Sequence, residues 1–414
     1  MEHVVPPDSA ALVRHWPVVS LLMAQAAVGH FNRVSISVAG SERWISEYSL
    51  SETELGTVYS TFLLAYTLCM LPGGGLIDRW GAPRALTVMG LGSAVFVAAT
   101  GALGLIPTAF GLGALIVVRS GAGAFSAPLH PGAARTVSLC IPHSRRTFVN
   151  GLITGSAILG VASTFSVFGT LIDLFGWPKA FLISAIVTSG LALVWTAVSS
   201  RFIAAQYSTA APARSATAPG ELALLLRDRR LLALTFSYAA IGYFEYLFFY
   251  WLQYYFVKTH QMPSVDARWF ATIPALAMAA GMPVGGWLSD RLTAAGHRRA
   301  WVPASGMVLS AGLVAAGICC SQPVLVMICF ALAMGAAGAC EGPFWTTATD
   351  LGGSRGGMSA AILNTGGNAG GMLAPIVTPL IGGCFGWHGG FGIAGVFCLL
   401  GALLWRWIDT GAES

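Results

Sequence analysis

The side chains best placed to do chemistry lie inside long apolar stretches, where an ionised group is costly and marks either a pathway or a buried pair. Arg33 falls about two-thirds of the way along one such stretch and Arg119 near the middle of another. A guanidinium presents a planar fork of donors that can grip a carboxylate through two parallel hydrogen bonds. No acid lies one helical turn from either arginine. An external anion is therefore the expected partner, the alternative being neutralisation by acids or carbonyls of the chain itself. Helical spacing groups further polar residues around the pair: Ser126 and His130 follow Arg119 on one stripe, and His30 precedes Arg33 by a turn.

Four more groups bear on coupling to an ion gradient. His30 and His130 have side chains that titrate near neutral pH, and Glu245 and Glu341 are carboxylates within apolar runs. The plainer reading makes each histidine a hydrogen-bonded bundle residue and each glutamate half of an ion pair with an arginine. Tyr66, Tyr250, Gln253, Trp345, Thr346, Asn364 and Asn368 complete the polar set that can orient a ligand or join neighbouring helices, the two asparagines sharing a face at a spacing of four. No Ser/His/Asp or metal constellation can be assembled from loop residues, and no GxxxxGK[ST] loop is present, so neither an enzyme nor direct ATP coupling is expected. The eight cysteines fall in or beside apolar runs with no CxxC, as packing residues would, and no cofactor is expected beyond a coupling H+ or Na+.

The elements that must position these groups are membrane helices. Hydrophobic residues make up 55% of the 414-residue chain and charged ones 9%, with a mean hydropathy of +0.71, too little charge for a water-facing surface of this size. The apolar runs are continuous rather than alternating, which excludes a β-barrel. Twelve spans are expected, at 17–40, 53–72, 85–105, 109–139, 148–171, 178–199, 231–257, 269–288, 301–320, 323–348, 357–382 and 387–408. Arginines concentrate after the even-numbered spans, so both termini are expected in the cytoplasm. The Ala-, Pro- and Arg-rich stretch 200–230 reads as a cytoplasmic linker between bundles at 17–199 and 231–408, with tails at 1–16 and 409–414. Low lysine with high alanine, glycine and arginine fits a GC-rich bacterial genome and an inner-membrane location. No basic-aromatic cluster suggests nucleic acid, and a monomer in the lipid bilayer is expected.

A repeat supports the division into halves. GGGLIDRWGAPR at Gly73–Arg84 is echoed by GGWLSDRLTAAGHRR at Gly285–Arg299, about half the chain later. This motif, with twelve spans, resembles the loop signature of the major facilitator superfamily. HFNRVSISVAG in the first span, RSGAGAFSAPLHPGAAR in the fourth and FWTTATDLGGSRGGMSAAILNTGGNAGGMLAP across the tenth and eleventh are similar to its anion:cation symporter branch, which includes sugar-acid and aromatic-acid permeases and sialin-type carriers.

The resemblance implies two six-helix bundles that alternately open a central cavity to each side. It also implies that Arg33 and Arg119 hold a substrate carboxylate, and that Asp78, Arg79 and Arg84, with Asp290 and Arg291 in the second copy, anchor a cytoplasmic gate. One departure matters. Proton-coupled sugar-acid members carry an acid immediately before the first-span arginine and another two turns after the fourth-span arginine, where this chain has Asn32 and Ser126. The expected function is secondary transport of a mono- or dicarboxylate, with proton symport foremost. Facilitated uniport and proton-driven efflux of drugs or metabolites are the alternatives, the efflux reading using Glu245 and Glu341.

Overall fold

The computed structural model describes residues 7–106, 111–202, 224–353 and 356–408, and among them there is no β-strand. Helices α1 (Pro7–Ala39), α2 (Glu52–Trp80), α3 (Ala82–Leu105), α4 (Leu112–Cys140), α5 (143–175) and α6 (Trp177–Phe202) come from the first half of the chain. From the second come α7 (Arg229–His260), α8 (Ser264–Ala294), α9 (Trp301–Cys319), α10 (Pro323–Gly352), α11 (356–385) and α12 (387–404). Each expected span overlaps one of these helices, residues 109–110 of the fourth lying outside the described residues and the last helix ending at Leu404. Gly386, at φ 73° and ψ 168°, bends the continuous stretch Gly356–Leu404 into its two last helices.

Nine helical stretches among the described residues are long and apolar enough to cross a bilayer, Met358–Leu404 being one of them. Helix α1 is not among them. Its apolar run is interrupted by Gln25, His30, Asn32, Arg33, Ser35 and Ser37, the polar groups that a site requires and a lipid-facing helix would lack.

Helix ends follow local chemistry. Ser51 and Glu54 form a capping box at the start of α2, Glu54 N–H donating to Ser51 Oγ (3.2 Å) and Ser51 N–H to Glu54 Oε2 (2.8 Å). Asp228 caps α7, accepting from the N–H groups of Arg230 (2.8 Å) and Leu231 (3.4 Å). The repeated motif shows in the backbone as well. Gly81 (φ 79°) turns the chain between α2 and α3, and Gly296 (φ 84°) does so after α8, both in conformations that L side chains avoid.

Around those turns Arg79, Arg84, Asp290 and Arg291 are exposed, Arg291 lying 5.3 Å from the Trp287 ring centre. Arg299 pairs with Asp350. The Asp78 and Arg145 side chains, Arg355, linker residues 203–223 and terminal residues 1–6 and 409–414 lie outside the described residues.

The chain packs as two compact units. The first contains Met1–Ser35, Leu64–Val161 and Thr170–Ser215. Its apolar core joins α1, α3, α4, α5 and α6 through Val18, Leu22, Leu86, Leu129, Val149 and Trp195. The second contains Ile36–Leu63, Ala162–Gly169 and Ala216–Ser414. Small residues bring its helices close, as at Gly370 of α11, where a Cβ would collide with the Ala239 carbonyl of α7. A ring cluster of Phe248, Tyr255, Phe330 and Phe391 fills its interior.

Candidate functional site

The first unit gathers the two arginines. Arg33 on α1 and Arg119 on α4 are 6% and 2% exposed, and Arg119 Nη2 donates to the Arg33 carbonyl at 2.9 Å. That bond ties the α4 guanidinium to the α1 backbone. The Arg33 guanidinium carbon lies 4.8 Å from the Tyr66 ring centre, a cation–π distance. His30 and His130 meet edge to face with ring centres 5.3 Å apart, and the Arg33 charge acts on both. His30 Nδ1 pairs with the Ala26 carbonyl at 3.0 Å, which fixes the ring and makes Nδ1 the protonated nitrogen of the neutral imidazole. Five residues expected from the sequence to line a substrate site thus share one unit: Arg33, Arg119, His30, Tyr66 and Ser126.

The two positions where acids are missing have structural partners. Asn32 Nδ2 donates to Thr188 Oγ1 of α6 at 2.8 Å, and that hydroxyl donates onward to the Ser184 carbonyl at 2.7 Å. Ser126 Oγ donates to the Ala122 carbonyl one turn back (2.7 Å) and lies 3.4 Å from Ser93 Oγ. Both side chains are neutral, so neither can take up and release a proton across the physiological range.

In the second unit the remaining candidates fall into two groups. Tyr250 stacks on Tyr59 with centres 4.9 Å apart, and Gln253 Nε2 donates to Glu42 Oε1 at 2.6 Å. Glu42 also receives two bonds from Arg268 at 2.7 Å each, a bidentate pair whose side chains are each 4% exposed. Glu42 and Arg268 read in the sequence as loop charges, and nothing local distinguishes them from their exposed neighbours. Two π-helical turns help seat this pair. Gly40–Trp44 carries Glu42, and Thr164–Phe168 places Ser166 Oγ 2.9 Å from Thr272 Oγ1, one turn beyond Arg268.

The second group surrounds the intramembrane acids. Glu245 on α7 and Glu341 on α10 are both buried and interact with one another; Tyr238, two turns before Glu245 on α7, reaches across to Glu341. Tyr238 Oη and Trp345 Nε1 both donate to Glu341 Oε2, at 3.0 and 3.1 Å. Among the described residues neither acid meets an arginine, lysine or histidine, so the ion pair of the plainer reading is not seen there. Tyr238 carries no sequence signal that sets it apart on an aromatic-rich helix. Thr346 bonds back to the Gly342 carbonyl (3.0 Å), while Asn364 is half-buried and Asn368 buried on α11.

Polytopic helices, a halfway repeat and paired arginines buried in an apolar unit define a membrane carrier rather than an enzyme. The chain belongs to the Major Facilitator Superfamily, whose family description matches residues 22–362 and 269–414. Among curated proteins it is 26% identical over 407 residues to a probable galactarate/D-glucarate transporter of Bacillus subtilis, covering 91% of this chain and 87% of that one. It is 28% identical over 310 residues to a probable L-galactonate transporter of Escherichia coli (70% and 66% covered), and 26% identical over 381 residues to a probable sulfoacetate transporter of Cupriavidus necator (87% and 85%). In fold it is similar to the crystal structure of a bacterial homologue of the human lysosomal transporter Spinster in an inward-facing, occupied conformation. That likeness has a TM-score of 0.79 at 16% identity and covers 95% of this chain and 96% of the other.

Proposed function

We propose that this protein is a secondary transporter of small organic anions, with sugar acids as the substrate class, working by alternating access as a monomer and driven by proton symport. The observation that carries the reading is the buried arginine pair, held together by the bond from Arg119 to the Arg33 backbone. Two guanidinium charges in one apolar unit favour an anion there strongly. A low-dielectric surrounding strengthens that attraction. The names of the relatives agree on chemistry: galactarate, glucarate, galactonate and sulfoacetate are all small acids, most of them polyhydroxylated. Arg33 and Arg119 bind the carboxylate in this scheme, Tyr66 fixes the Arg33 fork, and the histidine pair offers hydrogen bonds to substrate hydroxyls. Asp78, Arg79, Arg84, Asp290 and Arg291 act at the cytoplasmic gate.

The test is ligand-dependent stability of purified wild type and Arg119→Gln, with D-glucarate, D-galactonate and a panel of organic cations. A ligand at a hundred times its Kd raises stability by roughly 2.7 kcal/mol. The acids are expected to raise the melting temperature of wild type and to leave the variant unmoved. Stabilisation by cations alone, or an equal response of the variant, would overturn the reading in favour of efflux.

A further inference from the structure

We infer that Glu245 and Glu341 form a one-proton site, in which a single hydrogen held between two carboxyls supplies the coupling ion of the transport cycle. The inference rests on the anion-transport reading for its role in the cycle, but the site itself is argued from the geometry of the second unit alone.

Each of the two side chains is 9% exposed, and each retains a buried oxygen, Glu245 Oε1 and Glu341 Oε1, with no hydrogen-bond partner. Two ionised carboxylates that face one another in an apolar interior repel, and among the described residues neither has a cation to offset the charge. One added proton removes the conflict, because it turns one carboxyl into a donor and leaves the other as its acceptor.

The surrounding groups decide which acid keeps the hydrogen. Tyr238 and Trp345 both donate to Glu341 Oε2, so Glu341 is the carboxylate that stays charged, and Glu245, which receives no such donor, carries the O–H. Among the described residues the titratable groups facing the pair are the phenol of Tyr238 from α7, the thiol of Cys340 from α10 and the thiol of Cys398 from α12. None is a base strong enough to take the proton near neutral pH. Trp345, 37% exposed, links Glu341 to an accessible surface.

This placement accounts for the neutral residues at positions 32 and 126. The first unit holds the anion, and the proton is taken up on a different pair of helices. In each cycle one hydrogen ion enters from water on one side, resides as Glu245 O–H···O Glu341, and leaves to water on the other. A monocarboxylate then crosses with no net charge. A dicarboxylate carries one net negative charge, so a membrane potential acts on it.

The full chain reconstituted in liposomes provides the test. A symporter moving one proton with one monoanion accumulates D-galactonate about tenfold per unit of pH difference. Wild type is expected to do so, with no response to membrane potential, whereas D-glucarate uptake responds to it. Glu245→Gln and Glu341→Gln are expected to exchange D-galactonate without accumulating it. Infrared spectroscopy of the purified protein at neutral pH reads the site directly: the C=O stretch of a protonated carboxylic acid is expected in wild type and lost in Glu245→Gln. An unchanged band in Glu245→Gln, or full accumulation by both variants, would overturn the proton site. If wild type exchanges neither acid, the anion reading fails, while the infrared band still decides whether the carboxyls share a hydrogen.

Discussion

Glu42 and Arg268 are 226 residues apart in sequence and meet through two bonds of 2.7 Å with almost no exposure of either side chain. A buried pair of this kind is costly to break from one side, because the surviving charge is left in a dry environment. Arg268→Gln is expected to lower stability by about 3–5 kcal/mol, and the double variant Glu42→Gln, Arg268→Gln to recover much of the loss. Thermal unfolding of the three proteins in detergent checks both. The sequence could not reveal this pair, since each residue sits at the edge of an apolar run, where water is the ordinary surrounding for a charge. Arg33 and Arg119 were legible for the opposite reason. They lie deep in such runs, and a charge there needs a cause. Glu245 and Glu341 were legible one at a time, but their closeness was not. No spacing along a chain tells which of two distant helices will face one another.

Among elements, glycine-lined helix contacts give the most specific expectations. A methyl group at Gly370 would overlap the Ala239 carbonyl of α7, while one at Gly383 on the same helix meets nothing within 4 Å. Gly370→Ala is expected to destabilise the protein by about 1–3 kcal/mol, because the colliding atom is the Cβ itself and no rotamer relieves it. Gly383→Ala is expected to be neutral or stabilising by about 0.5–1 kcal/mol, as glycine in a helix interior generally costs that much. Gly81 poses a different constraint. Its φ of 79° with ψ near 150° belongs to a region open almost solely to glycine, and Gly81→Ala is expected to cost about 1–3 kcal/mol. Melting temperatures of the three variants separate overlap, open space and backbone strain. Apolar length predicted where helices run. The π turns at Gly40–Trp44 and Thr164–Phe168 left no trace in composition, because a widened turn is imposed by what it packs against.

For the molecule as a whole, positive charge sets the expected orientation, with both termini and the stretch 200–230 in the cytoplasm. Cysteines introduced at Gln261 and at Ala295, the turns after α7 and α8, into a chain whose eight native cysteines are replaced by serine or alanine, check it in cells. A membrane-impermeant thiol reagent is expected to label the first from outside and to spare the second, and the reverse pattern would invert the topology. Length, continuous apolar runs and the halfway motif carried the family and the helix count, since each is a property of the chain summed over many residues. The substrate is not carried in that way. It depends on a few side chains whose mutual distances exist only after folding.

The polar interruptions of α1 have a further consequence, for how the protein is made rather than how it works. An arginine within a helix is costly when the segment is handed to the bilayer by the insertion machinery, up to about 2.5–3.5 kcal/mol at the centre and less towards an end, and α1 carries His30, Asn32 and Gln25 besides Arg33. Its partners arrive later in synthesis: Arg119 bonds its backbone only when α4 has emerged, and Thr188 receives Asn32 only with α6. Helix α1 is therefore stably housed only after these later helices have emerged. In a cell-free insertion assay α1 alone is expected to enter membranes poorly and to gain efficiency as α2–α6 are added, so the buried polar groups of α1 leave the newborn chain dependent on its own later segments.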